Sequence, residues 1–188
     1  MSALSPTADE IKQTALVLKK LKPGHLPFPI FKEVTRLVTT PIVEVVPLHV
    51  GEDGTLQVLL TQRNADDPFW ANQFHVPGTV VLATDQKGVF DDAFKRIFSG
   101  ELGNITVTRE PVKFTEAHRE TARGSEVAFL YWALVEGKPP ERGKYFDVED
   151  LPTELVPFAA DAIKDAVKAF KAHSSNPDSN PSGVTTGR

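Results

Sequence analysis

The spacing of apolar residues predicts helices near both ends of the chain. Thr7 and Glu10 have the spacing of a capping box, and apolar residues follow at helical intervals until the Pro-Gly pair at 23–24. A second, shorter helix is predicted over residues 30–38, after two proline breakers. A last amphipathic helix is predicted over residues 158–172.

Between these helices the pattern changes to short apolar runs rich in β-branched residues, which is typical of strands. Residues 42–50 and 56–62 form the first two runs, and the Asp-Gly pair at 53–54 between them is a hairpin signal. The remaining strands are predicted at 74–76, 79–83, 106–117, 126–134 and 146–152, with one helix at 89–99. Strands and helices mixed in this way predict an α+β fold.

The chain of 188 residues has the length of one domain with some surplus. Residues 1–40 are predicted to be an N-terminal helical extension, and residues 41–172 the domain itself. Residues 173–188 are almost without aliphatic side chains, so burial cannot offset the entropy lost on ordering them. We therefore expect a disordered tail there.

The amino-acid composition argues against several classes of function. The chain has 21 basic and 25 acidic residues, a net charge of −4, which argues against a nucleic-acid binder that works through bulk charge. It has no cysteine, which excludes disulfides, zinc–thiolate sites, iron–sulfur clusters and cysteine nucleophiles. No apolar run approaches the roughly 20 residues of a membrane helix, and the N-terminus lacks the pattern of a secretory signal. We therefore expect a cytoplasmic protein without a membrane partner.

The order of motifs between residues 59 and 152 gives the main indication of function. LLTQR at 59–63 precedes a strand, a Pro-Gly turn, a loop, a helix and a Glu-Leu-Gly exit, and FDVEDLP at 146–152 precedes the last helix. This order resembles the Nudix hydrolase (MutT-like) superfamily, with its LL-x-x-R, W-x-x-P-G-G and G-x5-E-x7-R-E-U-x-E-E-x-G-U motifs, where U is bulky and apolar. The matching positions here are Arg63, Trp70, Pro77, Gly78, Ala93, Arg96, Phe98, Glu101 and Gly103.

The resemblance implies a Nudix-like α/β/α sandwich with a mixed sheet, preceded by the helical extension. It also implies a magnesium-dependent pyrophosphohydrolase acting on a nucleoside diphosphate-linked substrate. In that reaction Glu101 would bind the metal and take part in catalysis, and Arg96 would orient Glu101. The alternative for Arg96 is a purely structural role, a surface ion pair with Asp92 four residues earlier on the helix.

Ligand contacts are implied by the same resemblance, and each has a structural alternative. Arg63 would contact a phosphate or base, or would be a surface arginine at a strand end. Phe69 and Trp70 would stack on a nucleobase, or would plug the edge of the sheet. Gly78 would contact the ligand from the Pro-Gly turn, or would be glycine only because the turn needs its backbone freedom.

The departures from the Nudix box weaken the metal site. The second glycine of the turn is Thr79, the first glutamate of the box falls on Gly88, and two further acidic positions are Ile97 and Gly100. Magnesium requires several hard oxygen ligands beside the diphosphate. Glu101 alone, with water, makes a weak site, so this is a degenerate Nudix box.

Other side chains could replace the lost acids. Family members often take an extra ligand or base from the segment that corresponds to residues 115–129, where Glu116, His118, Glu120 and Glu126 are candidates. Glu116 is the candidate second metal ligand, Glu120 a candidate catalytic residue and His118 a candidate ligand contact. On a regular strand these three share a face. The alternative is a solvated strand end and polar loop.

Three functions follow from these patterns. The first, favoured by the lost acids, is a Nudix-fold protein with an impaired metal site that binds a nucleotide-like ligand with weak or no hydrolysis. The second is an active magnesium-dependent hydrolase with a rearranged acid set. The third is a protein-interaction or oligomerisation module, since Nudix-like folds often form homodimers and the N-terminal helices could pack on a partner.

Overall fold

The structure is a computed structural model that describes residues 5–175. Residues 176–188, which make up most of the predicted tail, lie outside the described residues, as do residues 1–4. Residues 173–175 continue the last helix. The elements, in chain order, are α1 (Ala8–Leu18), α2 (Phe28–Leu37), β1 (Thr40–Val50), β2 (Leu56–Gln62), β3 (Phe74–His75), β4 (Gly78–Val80), α3 (Asp91–Arg96), a π-helical turn (Ile97–Glu101), β5 (Thr106–Thr121), β6 (Gly124–Glu136), β7 (Gly143–Asp147) and α4 (Ala159–Ser175).

One mixed sheet organises the described chain, with β1 at its centre. β1 runs parallel to β6 and antiparallel to β2 and β4, and the strand order along the main path is β3-β2-β1-β6-β5. β7 pairs with β2, antiparallel. Because β1 is apolar on both faces, it is buried by the layers above and below it.

Helices cover the two faces of the sheet. On one face, Ile163, Ala166 and Val167 of α4 pack with apolar residues of β1, β2 and β6. On the other face, Ala93 of α3 and Ile97 of the π-helical turn pack with residues of the same three strands. The arrangement is an α/β/α sandwich, as expected from the sequence.

The local signals in the sequence are confirmed where they are strongest. Thr7 and Glu10 form the capping box of α1, and the Asp-Gly pair at 53–54 lies in the turn between β1 and β2. The predicted helix over 89–99 is shorter at its start and ends as a π-helical turn. β5 and β6 extend further than predicted, because cross-strand hydrogen bonds continue through the polar residues at 118–126 up to the hairpin turn.

The two N-terminal helices differ in how they attach to the sandwich. α2 packs against the β5–β6 turn, where a Cβ on Gly124 would lie 2.3 Å from the Thr35 carbonyl oxygen. Only glycine allows that approach, and its φ of +123° also favours glycine. α1 has no buried residue. Within residues 5–175, no helix combines the length and apolar character needed to cross a membrane.

Candidate functional site

Glu101 lies at the end of the π-helical turn that follows α3. The Leu102 backbone N–H donates to the Ile97 carbonyl over 3.2 Å, five residues back, which identifies the wider turn. This turn directs Ile97 into the core, where it is fully buried, and leaves Glu101 beside β2 and β3. Gly100, just before Glu101, offers no side chain to the same cleft.

The Glu101 carboxylate has polar neighbours from three strands. Thr61 Oγ1 of β2 donates to Glu101 Oε2 over 3.4 Å, and His75 Nε2 of β3 lies 3.7 Å from the same oxygen. The Gly78 backbone N–H of β4 also donates to it. Burial raises the pKa of Glu101 to about 7, because the Gly78 and Thr61 hydrogen bonds and the charge of Arg63 offset only part of the desolvation.

His75 is held as a neutral acceptor next to this carboxyl. Its Nδ1 lies 2.9 Å from the Val76 carbonyl oxygen, which can only accept, so Nδ1 carries the proton. Its Nε2 then accepts from Thr61 Oγ1 over 3.0 Å. Burial lowers the pKa of His75 to about 4, so the ring is uncharged at pH 7. Thr61 therefore has one hydroxyl proton to share between two acceptors.

A cleft of about 480 Å³ opens in front of these groups. Arg63 lines it, but its Nε donates to Asp67 Oδ2 over 2.9 Å. Asp67 Oδ1 in turn accepts hydrogen bonds from the backbone N–H groups of Phe69 and Trp70, over 3.0 and 2.9 Å. Arg142 closes another side and donates from Nε to the Gln62 carbonyl over 3.0 Å. The cleft thus has two guanidinium groups at its rim, both anchored by protein acceptors.

A smaller cavity of about 50 Å³ adjoins the cleft, since His75 and Arg63 line both. A buried cluster of four charged side chains, Glu44, Arg119, Arg123 and Glu126, lines this cavity. Arg119 pairs with Glu44, and Arg123 Nη2 lies 2.6 Å from Glu126 Oε1. The Glu126 side chain is only 3% exposed, so its charge depends on these partners.

Sequence reasoning missed three members of this cluster and gave the fourth another role. Glu126 is a candidate metal ligand by sequence, but the structure surrounds it with arginines. Glu44 was detectable as the single charged residue in the otherwise apolar run 42–48. Burial raises the pKa of Glu44, against the opposing charge and hydrogen bonds of Arg119. Arg119 and Arg123 carry no local sequence signal that identifies them.

Aromatic side chains cover the same cavity. The Arg123 guanidinium lies 4.9 Å from the Trp70 ring centroid, and that of Arg119 lies 5.4 Å from Phe158. Phe69 packs at 5.7 Å against Trp70 and at 6.1 Å against Phe28 of α2. The Trp70 ring is therefore buried and stacked on protein groups, whereas Phe158 remains partly exposed.

Comparison with known proteins shows which solved structures have a similar fold. No protein-family model matches the sequence, and no curated protein matches it. Similar solved structures include a mutT/nudix family protein from Listeria innocua (TM-score 0.59, 19% identity, covering 72% of this chain and 96% of that one). The NUDIX domain of Shewanella oneidensis NrtR, complexed with ADP ribose, aligns with TM-score 0.57 and 18% identity over 83% of this chain and 97% of that one. The C. elegans Ap4A hydrolase aligns with TM-score 0.53 and 14% identity over 71% and 99%.

The chain has the Nudix fold. Its α3 and the π-helical turn occupy the place of the box helix in the sequence resemblance. At the acidic positions of the Nudix box the structure has the buried Ile97, the bare Gly100 and the hydrogen-bonded Glu101. Within residues 5–175, no three His, Asp or Glu side chains are arranged to hold a metal ion. Among the acidic positions of the box only Glu101 offers a carboxyl, which is fewer oxygen ligands than a magnesium site of the family uses.

The predicted replacement ligands are not brought to Glu101. Glu116, His118 and Glu120 alternate on one exposed face of β5, so the shared face predicted for them is present. Glu116 pairs with Lys113, and His118 Nε2 lies 2.8 Å from Ser125 Oγ. β5 is three strands from β2 in the sheet. At about 4.8 Å per strand that is about 14 Å from the Thr61 side of the cleft.

The predicted role of Arg96 is replaced by a different contact. Instead of orienting Glu101 or pairing with Asp92, Arg96 donates from Nη1 and Nη2 to both oxygens of Asp85, over 2.5 and 2.8 Å. Its Nη2 also donates to the Val80 carbonyl over 3.0 Å. Asp92 instead lies 3.7 Å from Lys95. Arg96 therefore ties the α3 helix to the loop after β4, a structural task that spacing along one helix could not predict.

Among the predicted ligand contacts, Arg63, Trp70 and Gly78 line the connected cleft and cavity. Gly78 also has a packing reason to be glycine, since a Cβ there would lie 2.8 Å from Glu44 Cγ. Phe69 stands behind Trp70 rather than in the lining, and His118 lies on the exposed face of β5.

Proposed function

We propose that this Nudix-fold protein binds a nucleoside diphosphate-linked ligand in the cleft beside Glu101 and hydrolyses it weakly or not at all. One observation supports the proposal most: the cleft retains Arg63 and Arg142 at its rim, but only one carboxyl remains at the acidic positions of the box. Guanidinium groups suit phosphate oxygens, whereas one carboxyl at the box positions supplies too few oxygen ligands for the divalent-metal cluster that the family uses.

The ligand class is supported by chemistry and by likeness. A similar solved NUDIX domain is complexed with ADP ribose. In this chain, Arg63 is positioned to exchange part of its pairing with Asp67 for a ligand phosphate. The neutral His75 and the shared Thr61 hydroxyl would then contact uncharged polar groups of the ligand. Magnesium belongs to the proposal only for the active-enzyme alternative, in which Glu101 would be its protein ligand.

A thermal-shift matrix tests this proposal. The protein is melted with and without ADP-ribose, ATP and a nucleotide sugar, each in EDTA, Mg²⁺ or Mn²⁺, and the same mixtures are assayed for released products. We expect a ligand-dependent rise in melting temperature that is the same in EDTA and in Mg²⁺, with little or no product. Metal-dependent shifts with efficient turnover that is lost in Glu101→Gln would favour the active hydrolase instead.

A matched pair of variants locates the binding site. Arg63→Gln removes a cleft guanidinium, and Arg109→Gln removes an exposed guanidinium of β5 outside the cleft lining. We expect the ligand-induced shift to fall in the first variant and to persist in the second. Equal loss in both variants would mean that bulk charge, and not the cleft, holds the ligand.

A further inference from the structure

An exposed aromatic side chain borders the small cavity that adjoins the cleft. Phe158 and Trp70 both line this cavity. Trp70 is 8% exposed, and its ring packs against Phe69 and the Arg123 guanidinium. Phe158, in contrast, is 41% exposed. Phe158 therefore offers an open aromatic ring beside the cleft, whereas the Trp70 ring is already covered by protein groups.

The backbone at Phe158 departs from two local preferences. Its φ is +73°, and in the described part of the chain the other non-glycine residue with a positive φ is Asn72. Asparagine tolerates that region, whereas a bulky aromatic residue is strained there. The Phe158 carbonyl also accepts the Ala162 N–H over 3.0 Å, so Phe158 caps the start of α4, where a small polar residue is preferred. Departures of this kind are concentrated at functional sites.

A buried charge network holds one face of the Phe158 ring. The Arg119 guanidinium lies 5.4 Å from the ring centroid, within the range of a cation–π contact. The Arg119 side chain is 10% exposed and forms ion pairs with Glu44 and Glu126. Because Arg119 covers one face, the opposite face and the edge of the ring are left for a ligand.

The same network provides hydrogen-bonding groups next to the ring. Arg119 Nε and Glu126 Oε2 lie 3.5 Å apart, and neither has a hydrogen-bond partner among the described residues. Both side chains line the cavity and are at least nine-tenths buried. The cavity holds about 50 Å³, whereas a cavity that binds benzene measures roughly 150 Å³. It is therefore too small to enclose a nucleobase, and a base bound here would lie across its mouth with a polar edge toward these two atoms.

We propose that Phe158 is the residue on which the nucleobase of the ligand stacks, with Arg119 supporting the ring from the opposite face. This inference rests on the proposed binding of a nucleoside diphosphate-linked ligand in the cleft. Arg63 lines both the cleft and the cavity, so one ligand can place a phosphate at Arg63 and its base on Phe158. Stacking also explains an aromatic residue at a position where asparagine would suit the backbone better.

Calorimetry with ADP-ribose in EDTA tests this assignment. Phe158→Leu keeps an apolar side chain but removes the aromatic face, and we expect the dissociation constant to rise about tenfold. Phe158→Trp keeps an aromatic face and should bind within about threefold of the wild type. The control is Phe28→Leu, which makes the same change at an exposed phenylalanine of α2 outside the cavity lining and should leave the affinity unchanged.

Two further variants separate binding from folding. Phe158→Asn and Phe158→Ala both remove the ring, but asparagine tolerates a positive φ and caps helices better than alanine does. Phe158→Asn should therefore unfold at a higher urea concentration than Phe158→Ala, while the two bind ADP-ribose equally weakly. Affinity that follows stability across the two variants would mean that Phe158 only supports the fold, which would contradict the assignment.

Nuclear magnetic resonance measures the contact itself. We expect nuclear Overhauser effects between the adenine ring protons of ADP-ribose and phenylalanine ring protons, and we expect them to disappear in Phe158→Leu. A wild-type protein that binds ADP-ribose, with an affinity unchanged in Phe158→Leu, would overturn the assignment and leave the proposed cleft ligand in place. A wild-type protein that does not bind ADP-ribose would instead overturn the proposed function, and the assignment with it.

Discussion

The protonation of Glu101 should limit the stability of this protein above neutral pH. Its pKa is raised from 4.5 to about 7 by burial. Below pH 4.5 the carboxyl is protonated in both the folded and the unfolded chain, so it adds no pH dependence. Between pH 4.5 and 7 the unfolded chain releases the proton while the folded chain keeps it. The free energy of unfolding therefore falls over that interval and levels off above pH 7.

The size of this effect follows from the shift. A difference of about 2.5 units between the two pKa values, at about 1.36 kcal/mol per unit, corresponds to about 3.4 kcal/mol above pH 7. The Glu101 side chain is 29% exposed, so solvent screening reduces the expected loss to about 2 kcal/mol. Glu101→Gln keeps the shape of the side chain but cannot ionise. At pH 8 it should be more stable than wild type by about 2 kcal/mol, and at pH 4.5 the two should be equal.

Urea denaturation at pH 4.5, 6 and 8 measures this difference. Glu120→Gln is the control, because it makes the same change on the exposed face of β5 and should follow the wild type at every pH. Parallel stability curves for wild type and Glu101→Gln would refute the reasoning, since they would mean that Glu101 is ionised in the folded protein at neutral pH.

Three further outcomes follow from contacts around the site. Gly78→Ala should lower the free energy of unfolding by about 1–3 kcal/mol in denaturant titrations. The new Cβ would lie 2.8 Å from Glu44 Cγ and 3.0 Å from the Val43 carbonyl oxygen. A variant as stable as the wild type would contradict that packing. Asp85→Asn should cost about 2–3 kcal/mol by removing the charge of the buried partner of Arg96. Asp92→Asn should cost under about 0.5 kcal/mol, since its pair with Lys95 is exposed and an asparagine Oδ1 can still accept the Gln86 N–H. Equal losses would count against the Arg96 assignment. Gly100→Glu adds a carboxylate next to Glu101, at a position where a Cβ meets no atom within 4 Å. Calorimetry should then detect Mg²⁺ binding that the wild type lacks. No gain in Mg²⁺ affinity would show that the two carboxylates point in different directions.

The sequence predicts this fold well where short-range rules act. The capping box at Thr7 and Glu10 and the β1–β2 hairpin each depend on residues only a few positions apart. The alternation of Glu116, His118 and Glu120 on one strand face follows from the two-residue period of β structure. Sequence cannot say which strand lies beside that face, so it could not exclude these residues from the cleft.

The parts that sequence could not predict join residues far apart in the chain. Arg96 meets Asp85 across a loop, and Arg119 meets Glu44 across 75 positions of sequence. Helical spacing favoured Asp92 as the partner of Arg96. In the structure the buried Asp85 accepts from Arg96 with both of its oxygens, and the half-exposed Asp92 instead accepts the Gln86 N–H. The π-helical turn is also a product of packing, because it lets Ile97 enter the core while Glu101 reaches β2.

The central claim is that the cleft binds a nucleotide-like ligand without a functioning metal site. A calorimetric titration of the wild-type protein with ADP-ribose, performed once in EDTA and once in Mg²⁺, tests this most directly. We predict that the two dissociation constants agree and that the ligand is recovered intact after the titration. Binding that occurs only with Mg²⁺, or ADP-ribose cleaved during the Mg²⁺ experiment, would contradict the account.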